Sequence, residues 1–348
     1  MSDDHSTEHD KSGQKPVSNT LGEFGRIARF FASLTHDEET DHLGNDAALL
    51  SVPEGMELVV TTDSLVESVH FLPEDALPDK AEQLALKVLG TNLSDLASMG
   101  AKPWRYSLSL ATTERQDDQW FESFAKGLAS SQREQKWVLS GGDSVRSLSG
   151  LVVTVTAMGL VPKGRAFHRK KARAGQLLWV SGTLGDAATG LRILTGKVSD
   201  SEDENAAAFL KDRYHLPQPR TALGWRLQDE GLTQCCLDVS DGLLADAGHL
   251  SRESAVRIVI HAESLPLSDA LISVLPPEGQ LEMAATGGDD YELLFTAEPE
   301  ETERLKALSL ALGIRLTPIG IIEEGRGVVF RDQAGQAIAF SRSGWVHS

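Results

Sequence analysis

Apolar, β-rich segments alternate with amphipathic helical ones along most of this chain, and that alternation confines it to an α/β architecture. Leu58-Val59-Val60-Thr61-Thr62, Trp104 to Leu110, Trp137-Val138-Leu139-Ser140, Leu151 to Met158, Leu177 to Ser181, Cys235 to Val239, Val256 to Ile260 and Leu293 to Thr296 read as strands. Helices are predicted over Leu21–Phe31, from about Asp79 to Met99, around Trp120–Leu128, near Asp186–Leu194 and from Leu243 to about Ser251, and a hairpin over Val328–Phe340. In the helix 79–99, Leu86, Leu89, Leu93 and Leu96 form one stripe, while Asn92 and Asp95 share another with Val88 and Met99. A polar pair in an otherwise apolar stripe requires partners, because unpaired burial is costly.

The strands share a second property: aspartate recurs where they are expected to meet loops. It stands in Gly44-Asn45-Asp46-Ala47-Ala48, Thr61-Thr62-Asp63-Ser64, Gly141-Gly142-Asp143-Ser144, Asp238-Val239-Ser240-Asp241-Gly242 and Gly287-Gly288-Asp289-Asp290-Tyr291-Glu292, and again near the end of the predicted helix 79–99 in Asn92-Leu93-Ser94-Asp95. Hard divalent cations such as magnesium take oxygen ligands and reach proteins through a few carboxylates plus substrate phosphates. Carboxylates beside glycines, which admit a ligand close to the backbone, therefore point to a metal–phosphate site and an enzyme that handles a nucleotide. A lone aspartate in such a place is ordinarily a turn former or a helix cap, and Asp246 and Asp290 are assigned that role. Asp238, flanked by Leu237 and Val239, reads instead as a ligand.

Charge narrows the partners. With 51 acidic and 33 basic residues the net charge is −18, which repels nucleic acid. It would also repel ATP unless cations intervene. The segment Lys163 to Arg173 reverses this locally, six of its eleven residues being basic, and the domain boundary is placed at its start. Residues 1–20 are polar, without the apolar core of a signal peptide, and read as a disordered extension. No run approaches the roughly 18 apolar residues of a membrane span. The adjacent Cys235 and Cys236 cannot form a disulfide framework or a zinc site alone and read as strand residues in a reduced, cytoplasmic compartment. There is no P-loop and no kinase-type glycine loop, and Gly182-Thr183-Leu184-Gly185-Asp186 reads as a tight turn.

Taken in order, the aspartate motifs resemble those of the thiamine-monophosphate kinases, a family within the superfamily of aminoimidazole-ribonucleotide-synthetase-like ATP enzymes. Gly22-Glu23-Phe24, the Asp46, Asp63 and Asp95 stretches, His70-Phe71, Gly141-Gly142-Asp143, Gly164-Arg165-Ala166, the Asp238 and Asp289 stretches and Gly344-Trp345 carry the likeness from Leu21 onward. It implies a two-domain aminoimidazole-ribonucleotide-synthetase-like fold, α/β (α+β) with mixed sheets and flanking helices, divided as residues 21–162 and 163–348, with the site between them. It implies that Asp46, Thr61, Thr62, Asp63, Asp95, Asp143, Asp238 and Asp241 hold several magnesium ions, with Asp143 most critical and no separate catalytic base. Gly142, Asp143, Arg169 and Ser240 would contact ATP; His70, Asp289 and Trp345 would face thiamine monophosphate; two copies would pair through their N-terminal domains.

Four residues depart from the family pattern: Asn45, Ser68, Ser144 and Asp289, the last one methylene shorter than glutamate. Thr61 and Thr62 are adjacent strand residues and so face opposite sides. Two other readings stand beside the kinase: a sister ATP-dependent synthetase, and a nucleotide-binding regulator without turnover. A selenophosphate-synthetase-like chemistry would need a reactive cysteine near the N-terminus, which the sequence lacks.

Overall fold

The computed structural model describes residues 21–35, 43–199, 203–340 and 344. The extension 1–20 and Trp345 lie outside the described residues.

The first half opens with a short helix, α1 (Glu23–Arg26), continuing through a π turn to Phe31. Then come β1 (Met56–Val66), α2 (Ala81–Ser98), β2 (Lys102–Thr112), α3 (Asp118–Gln135), β3 (Val138–Arg146) and β4 (Val152–Pro162). The four strands form one sheet in the order β1-β4-β2-β3, antiparallel except for the parallel β2–β3 pair. Alternation along β4 sends Val153, Val155, Ala157 and Val161 to a buried face. There they pack with α2 and α3, whose Leu84, Leu89, Trp120, Phe121 and Phe124 complete one core. The other face of the sheet carries Leu58, Val60, Thr62 and Ser64 toward solvent.

The second half runs β5 (Leu177–Ser181), α4 (Asp186–Leu194), α5 (Glu204–His215), α6 (Thr221–Asp229), β6 (Cys235–Val239), α7 (Leu243–Ser254) and β7 (Val256–His261). It continues with α8 (Asp269–Val274), α9 (Pro277–Thr286), β8 (Glu292–Ala297), α10 (Thr302–Leu312), β9 (Leu316–Glu324), β10 (Gly327–Arg331) and β11 (Ala337–Ile338). Its strands make a seven-stranded mixed sheet ordered β11-β10-β7-β9-β5-β8-β6, with β10 and β7 parallel and the other pairs antiparallel. The sheet is covered on both sides, so its strands read as unbroken apolar runs. Leu178, Val180, Cys235 and Leu237 join one core and Trp179, Cys236 and Phe295 the other. The two cysteines are thus free thiols on opposite faces of β6.

Helix α2 joins the halves. It packs on β1 and β4 and also on α6, β6 and β8, and Ala97 belongs to a core of the second sheet. A helix enclosed on both sides must bury its polar residues as well. Lys87, Thr91, Asn92 and Ser94 are all buried, and their partners build the site.

Candidate active site

A cleft of about 870 Å³ opens beside α2, between β1 and the ends of β6 and β8. Asp63, Asp95, Asp238, Ser240, Asp241, His70 and Asp289 all line it. One end is acidic. Asp63 comes from β1, Asp95 from the last turn of α2, and Asp238 from β6. The polar pair on α2 has its partners here: Asn92 accepts from the Asp63 N–H (3.3 Å) and donates to the Val88 carbonyl (3.1 Å), while Asp95 accepts from the Thr61 hydroxyl (2.5 Å). Ser94 donates to Asp238 at 2.7 Å.

The electrostatics of this cluster are those of carboxylates short of positive charge. Burial, then the Asp95 charge, raises the Asp63 carboxyl to about 6 against a hydrogen bond from Thr91. Burial raises Asp95, opposed by the Thr61 hydroxyl and the Arg169 guanidinium. Burial and then Asp95 push Asp238 up, with Ser94 and Arg169 working in the opposite direction. Arg169 sits in a single 3-10 turn, Arg169–Lys171. Its carbonyl is held by the Ser254 hydroxyl (2.6 Å) and the Cys235 thiol (3.6 Å), and its charge reaches the acids from there.

Asp246, read from sequence as a structural residue, holds the loop ahead of α7. Its Oδ2 accepts from the Ser240 and Asp241 N–H groups, each at 3.1 Å. Burial and the charges of Asp238 and Asp241 raise its carboxyl to about 8. The Ser240 and Asp241 N–H groups just ahead of α7 are therefore already occupied, leaving Ser240 its hydroxyl. Asp241, Asp246 and His249 also bring one ligand atom each within 4.8 Å of one another. The Asp246–His249 spacing of i, i+3 on α7 was the available sequence signal for His249.

The other end of the cleft is mixed. His70 follows a turn in which Ser68 takes a left-handed φ of 67°, and its Nδ1 accepts from the Val66 N–H at 3.1 Å. Asp289, also left-handed at φ 66°, is fixed by its N–H on the Ser240 carbonyl (2.9 Å). Lys87, which no sequence motif marks, lies 3.7 Å from the Asp289 carboxylate. Beyond it Glu292 is fully buried and bonded by Ser181, Arg213 and Arg220.

The remaining expected residues stand apart within one copy of the chain. Asp46 is in an exposed bend ahead of β1. Thr62 faces away from the cleft and pairs its hydroxyl with Thr156 at 3.0 Å, so toward the cleft it could offer only its main chain. Gly142 and Asp143 are on the edge strand β3, exposed. Asp143 lies in the cross-sheet row Ser64–Thr154–Ser109–Asp143, three strand spacings or about 14 Å from β1. The Ser64 and Thr154 hydroxyls of that row touch at 2.7 Å on the open face.

This fold and acid-lined cleft define an ATP-enzyme class, and the sequence places the chain in it. Residues 44–161 match the family described as AIR synthase related protein, N-terminal domain, and residues 173–333 match its C-terminal domain. Within that class the chain belongs to the thiamine-monophosphate kinase family. It is 39% identical over 334 residues to the thiamine-monophosphate kinase of Haemophilus influenzae, covering 94% of this chain and 98% of that protein. The enzyme of Escherichia coli K12 is 39% identical over the same shares. The crystal structure of thiamine-monophosphate kinase from Stenotrophomonas maltophilia superposes with a TM-score of 0.79 at 39% identity, over 90% of this chain and 96% of that one. A structure described as AaThiL complexed with AMPPCP and TMP gives 0.74 at 32%, over 94% and 97%.

Proposed function

We propose that this protein transfers the γ-phosphoryl group of ATP to the phosphate of thiamine monophosphate, giving ADP and thiamine diphosphate by direct in-line displacement with magnesium. The observation that carries the reading is the convergence of Asp63, Asp95 and Asp238, from three different elements, at one end of a cleft whose other end holds His70 and Asp289. The relatives at 39% identity support the acceptor, as does the bound pair described for AaThiL.

The acceptor is a phosphate, already anionic near neutral pH, so no general base is needed; the difficulty is holding two anions in line. The donor set fits a hard divalent cation: all oxygen, and raised toward neutral pH by burial and mutual repulsion. Asp63, Asp95, Asp238 and Asp241 would hold magnesium, with Asp46, Thr61, Thr62 and Asp143 as further donors by family likeness. When bound, magnesium neutralises and aligns phosphate oxygens. The chain's own residues do the rest. Arg169 presents a fork of donors to an ATP phosphate, Gly142 offers its main chain to the nucleotide, Ser240 offers its hydroxyl, and His70 and Asp289 orient the acceptor, with Trp345 assigned to its rings.

Gly142 and Asp143 serve this site best from a second copy. The open face of the four-stranded sheet, apolar at Leu58 and Val60, supports a homodimer through N-terminal domains in which Asp143 of one copy reaches the cleft of the other. The functional division is placed between residues 162 and 163, where the first sheet ends. Cytoplasmic residence is supported by the two free thiols, and among the described residues no helix is long and apolar enough to cross a membrane.

Incubation with Mg-ATP and either thiamine monophosphate or thiamine tests the reading. Thiamine diphosphate should form from the monophosphate alone. ATP bound tightly without turnover would replace the kinase with a regulator, and ATP hydrolysis coupled to neither acceptor would favour a sister synthetase.

A further inference from the structure

Helix α2 presents Lys87, Thr91 and Asp95 at i, i+4 and i+8 along the floor of the cleft. The rise per residue puts Lys87 about 12 Å from Asp95 along the axis. The lysine therefore belongs to the end away from the acids, yet its side chain is only 3% exposed. A buried ammonium is retained only with partners, and its partners are specific. Nζ donates to the Tyr214 carbonyl at 2.8 Å, lies 3.4 Å from the centroid of the Tyr214 ring, and stands 3.7 Å from Asp289 Oδ2. The other oxygen of that carboxylate, Oδ1, accepts from the Tyr291 hydroxyl at 3.3 Å.

We propose that Lys87 is the positioning residue for Asp289, and through it a determinant of which acceptor the site takes. Lys87 and Tyr291 clamp the two carboxylate oxygens from either side, and the Asp289 N–H on the Ser240 carbonyl fixes the backbone beneath them. With its plane set, the carboxylate directs its remaining lone pairs into the cleft. It then selects a heterocyclic acceptor that brings N–H donors or positive charge, and disfavours a neutral acceptor without them. The shorter aspartate in place of glutamate makes an external clamp more important, because the side chain has less reach of its own.

The inference rests on the acceptor assigned above, and steady-state kinetics separate the two. In Lys87→Met, which keeps the apolar stem and removes the charge, KM for thiamine monophosphate should rise about tenfold or more, with KM for ATP and kcat within about threefold. Because Lys87 acts through Asp289, Lys87→Met/Asp289→Asn should be no weaker than Asp289→Asn alone. An unmoved KM for the acceptor, a parallel rise in KM for ATP, or additive losses in the double variant overturn the inference and leave the function standing. Should Lys87→Met fail to fold, Tyr291→Phe tests the clamp from its other side and should raise KM for the acceptor alone; no rise overturns it. A wild-type protein that neither turns over nor binds thiamine monophosphate in a calorimetric titration overturns both the function and the inference.

Discussion

At the scale of single residues, the cleft separates groups that hold the fold from groups that strain it. Asp238 is the clearest of the second kind. It is buried among apolar neighbours, accepts one hydrogen bond from Ser94, and is pushed up by burial and by Asp95. An amide of the same shape can keep the Ser94 bond while removing the repulsion. Asp238→Asn is therefore expected to leave the melting temperature of the metal-free protein unchanged or higher, while turnover drops by roughly a hundredfold or more through loss of a ligand. Thermal denaturation beside an ADP-release assay checks both. A variant that is less stable and still active would make Asp238 a fold residue. Glu292 gives the contrast: with Ser181, Arg213 and Arg220 all bonded to it, Glu292→Gln should lower stability by about 3–5 kcal/mol, because it leaves buried guanidinium groups uncompensated. Chemical denaturation would measure that loss.

At the scale of elements, the alternation of strand and helix was legible because local periodicity determines it. The strands from Leu58, Trp104, Leu151, Leu177, Cys235, Val256 and Leu293 all occur, as do the helices behind them. What periodicity could not show is where pairing stops. Asp63 and Asp143 were expected where strands meet loops, but β1 continues to Val66 and β3 to Arg146. Each follows a neighbour, β4 or β2, that keeps offering hydrogen bonds past the aspartate. The lining of the cleft was legible where motif order marks it, as at Asp63, Asp95, Asp238, Asp241 and Asp289. It was not legible where a residue acts through a contact distant in sequence, as Lys87 does with Tyr214. The glycines beside Asp289 show how close elements must come. A Cβ on Gly288 would stand 2.6 Å from the Ser240 carbonyl oxygen, the same oxygen that receives the Asp289 N–H. Gly288→Ala should push the ends of β6 and β8 apart, cost about 1–3 kcal/mol, and raise KM for the acceptor. Calorimetry and initial rates would show it, and a silent substitution would mean that the loop is more pliant than its contacts indicate.

At the scale of the whole molecule, charge links the site to stability and to assembly. Asp63 and Asp246 are raised to about 6 and about 8 from an ordinary 3.8. Groups raised in the folded state stabilise it fully below their unfolded value and lose that contribution as pH rises through the folded one. The metal-free protein should therefore lose melting temperature between about pH 5 and pH 8, and magnesium should restore more at pH 8 than at pH 6, releasing protons as it binds. Metal-free stability that is flat or rising over this window would refute the assignment. Assembly poses the last question, because Asp143 lies on the open sheet face and Asp238 in the cleft. If each site takes Asp143 from the partner copy, Asp143→Asn and Asp238→Asn are separately inactive but complement. Mixed after exchange of protomers, half the dimers carry both variants, and each of these holds one site with both aspartates intact. Activity should return to about a quarter of wild type, as random pairing in a two-fold dimer requires. A mixture as inactive as its components would place Asp143 and Asp238 in the same protomer's site, and the exposed row across the sheet would then have to reach the cleft by a rearrangement within one chain.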